Sequence, residues 1–272
     1  MKALKEKLSF LKYLDPDHYS DALFERLYGK AEGKRPFHHG LAHGIITLAV
    51  YSVFAFALYY LLGVAFNTSE PIVIVISESM EPALYRGDVA FVQGVPAPQI
   101  KAQPVTLSED VRSKPLASYS TIEHAESSPE CLQSAQIVAL ENCERGNVLD
   151  CRPTFERLKE FCATAVRQVV FEEGQIVTPS ADGDIIVYYS KYSNRDIIHR
   201  AQARISTPGG EYFLTKGDNL RTNPSLDQDC QEFQGQLVNC VYPYAIPFED
   251  VRGKVVFKIP WIGYIKLILF GR

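Results

Sequence analysis

Between Gly44 and Phe66 the chain runs GIITLAVYSVFAFALYYLLGVAF, twenty-three residues without a charged side chain. At about 1.5 Å rise per residue such a helix exceeds the roughly 30 Å of a bilayer's hydrocarbon layer, so it can span, and a spanning segment puts the residues on its two sides into different compartments. The run is too long for the apolar core of a signal peptide and no convincing small-residue cleavage site lies after it, so it reads as a retained anchor. Its flanks set the orientation. Lys30, Lys34 and Arg35 precede it, with His38, His39 and His43 closer still, and the next basic residue beyond it is Arg86. The positive-inside rule then keeps the N-terminus in the cytoplasm and places residues from 67 onward outside.

The cysteines agree with that division. All six, Cys131, Cys143, Cys151, Cys162, Cys230 and Cys240, lie on the outer side. An oxidising compartment would allow disulfides; buried thiols are the alternative, and about 15 pairings remain open. None forms a CxxC or a Cys/His pattern with zinc spacing, so neither a metal nor another cofactor is expected. A net charge of -4 argues against a nucleic-acid partner, which would call for a basic face. Hydrophobic content of 46% over 272 residues supports an anchor plus a folded core. The sequon Asn67-Thr68-Ser69 lies so near the membrane that modification is not expected.

Residues 1–43 hold two amphipathic helical patterns, KALKEKLSFLKYL and SDALFERLYGK, separated by Asp15-Pro16-Asp17, where proline can open the second helix. They suit the cytoplasmic leaflet, a partner or plain solvent equally. Beyond the anchor the period shortens to that of strands: PIVIVI from Pro71, DVAFV from Asp88, DIIVYYS from Asp184, DIIHRAQARIS from Asp196, EYFLTKG from Glu211 and GKVVFKI from Gly253. Gly, Pro and Asn clusters punctuate these runs, which predicts a mainly β domain, a sheet or partly closed barrel, over 67–95 and 181–253. Residues 96–180 read as a mixed, Cys-rich inserted subdomain, with a helical face of Phe155, Leu158, Cys162, Val166 and Val169. Segment 254–272 is apolar but broken by Lys258, Pro260 and Lys266. With Trp261 and Tyr264, it is expected to lie on or dip into the outer leaflet, a second crossing being the alternative.

The chemistry centres on SESMEP, Ser77 to Pro82, directly after the PIVIVI run. A hydrolase needs a hydroxyl nucleophile, a base, a group to orient the base and donors for the oxyanion. Ser79 stands at the end of an apolar strand, and Ser77 would point to the same side if the strand continued, beside the backbone N–H of Ser79. His199, in DIIHR, is the one histidine beyond His124, and Asp218, Asp227 and Asp229 come after it in TKGDNLRTNPSLDQD. One of these aspartates beside His199 would orient it. Taken singly, the serines are also ordinary turn residues, His199 an ordinary strand histidine and KGDN an ordinary β-turn.

Taken in order, these boxes resemble the type I signal peptidases, in the branch found in archaea and in the endoplasmic reticulum complex. SESMEPALYRGDVAFV is similar to the family's SxSMxP followed by RGD and a strand, GDIIVYYS to its second GD box, DIIHRAQA to its histidine box, LTKGDN to its acidic box and IPWIGY to its C-terminal element. The resemblance covers most of 70–265 apart from the insert. It implies a membrane-bound serine endopeptidase, with Ser79 as nucleophile, His199 as general base, Asp218 as the KGD aspartate and Ser77 as an oxyanion donor. The downstream spacing is longer than the family's usual one, so Asp227 is the choice for the second acid and Asp229 the runner-up. Implied partners are signal-peptide-bearing preproteins, membrane lipid and the secretion translocon, in an archaeal cell membrane or the endoplasmic reticulum. The alternatives are a non-catalytic anchored β domain that binds a partner through its insert, a narrow-specificity processing peptidase, and a serine-lysine mechanism through Lys191 or Lys216.

Overall fold

The computed structural model describes residues 15–29, 37–125, 133, 158, 162–233, 236–238 and 240–264. The first amphipathic pattern, most of the insert's centre and residues 265–272 lie outside them. The chain divides into two compact units, Met1–Ala65 and Phe66–Arg272.

In the first unit, α1 (Pro16–Tyr28) starts where the sequence places it, with Asp15 as cap accepting from the backbone N–H of Asp17 at 3.0 Å and proline in the first turn. Phe24 is buried, stacked on Tyr28 and met edge-on by His43, each at 4.9 Å between ring centres. Helix α2 (Phe37–Phe66) contains Gly40–Phe66, a stretch of 27 residues with mean hydropathy 2.1, long and apolar enough to cross a membrane. Leu48, Phe56 and Tyr60 stand exposed on it. A helix apolar all round without burial matches an apolar solvent rather than water.

The second unit is mainly β. Its principal sheet holds eight strands, ordered β1 (Ile72–Ile74), β2 (Val89–Gln93), β13 (Val251–Ile259), β7 (Ile185–Ser190), β8 (Arg195–Thr207), β9 (Gly210–Lys216) and β12 (Ile246–Pro247), with β3 (Gln103–Thr106) parallel to β8. A three-stranded sheet joins β4 (Ser120–His124), β5 (Val166–Phe171) and β6 (Ile176–Val177), and β10 (Gln231–Phe233) pairs with β11 (Gln236–Val238). Long β8 organises the domain. It pairs with β7 over Arg195–Arg200 and with β9 from Arg200 onward, with a register shift between Ala201 and Ala203. His199 and Arg200 therefore stand where β8 gains its second neighbour.

One expectation is corrected here. The expected helical face fails at Val166 and Val169, which lie in β5 paired with β4; the β-branched run Val166, Val169, Val170 fits a pleated surface better than a helix. Residues 254–259 belong to β13 and pair along β2, with β7 on the other side only as far as Lys254. Apolar exposure begins at that strand's outer end and beyond it, with Trp261 72% exposed and Ile262 and Tyr264 also open.

The described ends of 96–180 are built into the β domain. Val105, Leu116 and Phe171 share one buried cluster with Ile205, Tyr212 and Leu214 of β8 and β9. Ile186, Tyr188, Ile197, Ala201 and Phe213 form a second cluster with Tyr242 and Ile246. Burying each such large side chain contributes roughly 1.5–3 kcal/mol, so these clusters fix the strands that carry the site. Cys230 and Cys240 are joined by a disulfide, and Cys162 is also disulfide-bonded.

Candidate active site

The serine loop is held from below by its apolar residues. Met80 is wholly buried with Val75 and Leu84, against Ile185 of β7 and Ile198 of β8, and Leu84 N–H donates to the Met80 carbonyl at 2.9 Å. Methionine suits this irregular gap because its unbranched chain adapts to it. The returning turn is tied by Asp88, whose buried carboxylate accepts from Lys258 Nζ of β13 at 2.9 Å and from the Tyr85 N–H at 3.0 Å. Burial alone would raise Asp88, but Lys258 and the backbone donors hold it below the ordinary carboxylate range. Lys258 also donates to the Ala83 carbonyl at 2.9 Å. Gly87, with φ +89°, lies so close to Tyr264 that a Cβ would come within 2.3 Å of its ring. Thus RGD and IPWIGY, far apart in sequence, form one brace beneath the serine loop.

On its other side the loop meets the turn after β9. Asn219 donates twice, from its backbone N–H to the Ser79 carbonyl and from Nδ2 to the Glu78 carbonyl, both at 2.9 Å. At Gly217 a Cβ would lie 2.6 Å from the Ser79 carbonyl oxygen, so glycine is needed for close approach. Arg221 pairs with Glu78. With the carbonyls of 78 and 79 engaged, the hydroxyls of Ser77 and Ser79 share a hydrogen bond of 3.0 Å.

The place of His199 is set by the alternation of β8. Ile197, His199 and Ala201 are buried, while Ile198 and Arg200 are only partly so. A histidine 4% exposed at a core position must be partnered, and its partner is Asp227. Nδ1 donates to Oδ2 at 2.7 Å and lies 2.9 Å from Oδ1. Asp227 is itself 1% exposed and accepts from Tyr188 Oη at 2.9 Å and Thr215 Oγ1 at 2.5 Å. Burial would raise its carboxyl, but the charge of His199 and the hydrogen bonds from His199, Thr215 and Tyr188 hold it below its usual value. Burial, then the charge of Asp227, pushes the Tyr188 phenol well above its usual value and keeps it a donor. The remaining ring nitrogen of His199 is then the one able to take a proton.

The other candidates go elsewhere. Asp218 does not pair with His199; it is held by Arg200, with Nε 2.8 Å from Oδ1 and Nη2 2.6 Å from Oδ2. Asp229 accepts from His124 Nε2 at 2.9 Å and from the Ser225 hydroxyl. Lys191 pairs with Asp250 at 3.0 Å, and buried Lys216 donates to the Gly217 carbonyl at 2.9 Å. Sequence reasoning missed Tyr188, Thr215, Arg200 and Asn219. Arg200 stands in the DIIHR box, next to the histidine, whereas Tyr188 and Thr215 reach Asp227 across the sheet and give no local signal. No described group of His, Cys, Asp or Glu is arranged to hold a metal ion.

A hydroxyl pair on a braced loop, and a buried histidine–carboxylate pair on a strand packed against that loop, are residue types that a serine-nucleophile hydrolase uses. Comparison with known proteins bears on the particular family. No protein-family model matches the chain. It is 30% identical over 95 residues to the signal peptidase complex catalytic subunit SEC11 of Colletotrichum graminicola, covering 35% of this chain and 48% of that protein. SEC11 of Metarhizium robertsii is 31% identical over 90 residues, 33% of this chain and 46% of that protein, and SEC11 of Candida albicans 36% over 87, 32% and 52%. The chain thus spans about half the length of the curated relatives it matches. Over about a third of its length, then, the chain is similar to catalytic subunits of fungal signal peptidase complexes.

Proposed function

We propose that this chain is a membrane-bound serine endopeptidase that removes signal peptides from preproteins, by the combined action of Ser79, His199 and Asp227. Ser79 Oγ attacks the carbonyl carbon of the scissile bond while His199 takes the hydroxyl proton. The oxyanion is met by the Ser77 hydroxyl and the Ser79 backbone N–H. His199 then returns the proton to the leaving amine, and water, activated by the same imidazole, hydrolyses the acyl-enzyme. Asp227 steadies the imidazolium, and Asp218 acts through Arg200 and the turn at Gly217 as a positioning residue.

The observation that carries this reading is the buried His199–Asp227 pair, closed by Tyr188 and Thr215, on the strand whose next-door Ile198 packs against Met80 of the serine loop. Position argues for the substrate class. Ser79 comes thirteen residues after Phe66, at most roughly 45 Å of extended chain, which keeps the hydroxyl near the bilayer where a signal peptide presents its cleavage region. The relatives are named as subunits of a complex in fungi, which favours the endoplasmic reticulum membrane, further subunits as partners and the translocon and lipid as surroundings. The N-terminus is assigned to the cytoplasm and the β domain to the lumenal side.

Incubating the full-length, membrane-embedded protein with a presecretory protein tests this. Cleavage at the signal junction is expected, and Ser79→Ala abolishes it. Processing that survives Ser79→Ala would instead favour a binding role or another nucleophile.

A further inference from the structure

A cavity of about 390 Å³ opens beside the serine loop, on the side of Pro82 and Ala83, and its charged lining is Arg200, Lys216 and Asp218. Its charges are unequal in what they have to do. The Arg200 guanidinium is engaged by both oxygens of Asp218 and by the Gly183 carbonyl. Lys216 is 7% exposed, is the register partner of Arg200, and makes no ion pair with a described residue; its ammonium donates to the Gly217 carbonyl. Burial lowers its pKa, against the opposing pull of Asp218 and Asp227. A buried ammonium with donors to spare is a site for an anion, since an incoming carboxylate supplies the counter-charge that the protein does not place in contact.

We propose that this cavity binds a carboxylate side chain of the substrate polypeptide in the first three residues after the scissile bond, with Lys216 as its recognising cation. The proposal rests on the peptidase reading. The flanks of the nucleophile decide the side. Before Ser79 the loop presents exposed Ile76, which suits the small apolar residues that precede a signal-peptide cleavage point. After Ser79 it presents the cavity in which Lys216 is the cation left over once Asp218 is paired with Arg200, and this is left for the residues beyond the bond. Lys216 is thereby a specificity-determining residue distinct from the groups that move protons.

Binding can be read without turnover in full-length Ser79→Ala protein in nanodiscs, by anisotropy of fluorescent peptides that span a cleavage junction. The peptides carry Glu or Gln at the first, second or third residue after it. At one of these positions Glu should bind about tenfold or more tighter than Gln, the scale of a charge-assisted hydrogen bond. Adding Lys216→Met should reduce that preference to less than twofold, and Lys216→Arg should retain it. Lys216→Gln, which keeps a donor for the Gly217 carbonyl, is the second charge-removing variant should the methionine variant fail to fold. Equal binding of Glu and Gln at all three positions, or a preference that survives loss of the lysine charge, overturns the proposal. Cleavage of the same peptides by the wild-type chain separates the two readings. Cleavage without selective binding removes the cavity's role and leaves the peptidase, whereas selective binding without cleavage removes the peptidase, and the proposal with it, and leaves Lys216 only as a carboxylate-binding group.

Discussion

Asp227 and Asp229 are neighbours but one in the chain, and they serve different histidines. Asp227 accepts from His199 at 2.7 Å inside the domain, while Asp229 accepts from His124 at 2.9 Å near its surface. Asp227→Asn should therefore lower preprotein cleavage by about 10³–10⁴-fold, as losing the orienting acid of a triad does, whereas Asp229→Asn should stay within a few-fold; gel-based processing rates compare them. The same burial gives a pH prediction. A carboxylate held below its unfolded value, near 3.9, contributes stability that is fully present above that value and is lost as pH falls through the lower, folded value. Between pH 5 and 2 the thermal midpoint of the wild type should fall more steeply than that of Asp227→Asn. The sequence contained both aspartates and the histidine, and the box order pointed to Asp227 first. The contacts that separate the two aspartates lie across the sheet, through Tyr188 and Thr215, and no spacing along the chain reports them.

At the scale of elements, the serine loop depends on a brace made by strands far from it in sequence. Gly87 needs both its positive φ and the space that Tyr264 fills. Gly87→Ala adds a left-handed backbone cost of roughly 1–2 kcal/mol to a clash with the ring, so the melting temperature should drop by several degrees and cleavage should fall with it. A melting curve unchanged by this substitution would mean that the brace does not hold the loop. Alternation made the strands legible: runs at 185–190, 195–207 and 210–216 all form. Periodicity misled at Val166 and Val169, where apolar residues at helical spacing are also β-branched and the cross-strand partner, β4, decided the outcome. The apolar run at 254–259, next to aromatic residues, forms the outer part of β13 and pairs along β2, a placement that its composition does not report.

For the whole molecule, the uncharged run from Gly44 to Phe66 divides the chain more sharply than any other feature, and the helix found there is long enough to span. The proposed orientation has a direct consequence. In sealed microsomes, protease added outside should trim the N-terminal segment and leave the β domain intact, and detergent should expose the rest. Digestion of the β domain in sealed vesicles would reverse the topology. The disulfide between Cys230 and Cys240 fits a domain facing an oxidising lumen. The central claim is that Ser79, His199 and Asp227 act as one unit, and non-additivity tests it most directly. Cleavage rates of a presecretory protein by Ser79→Ala, His199→Ala, Asp227→Asn and the Ser79→Ala/His199→Ala double variant should show the double variant no slower than Ser79→Ala alone. Losses that multiply, or full cleavage by His199→Ala, would contradict the assignment.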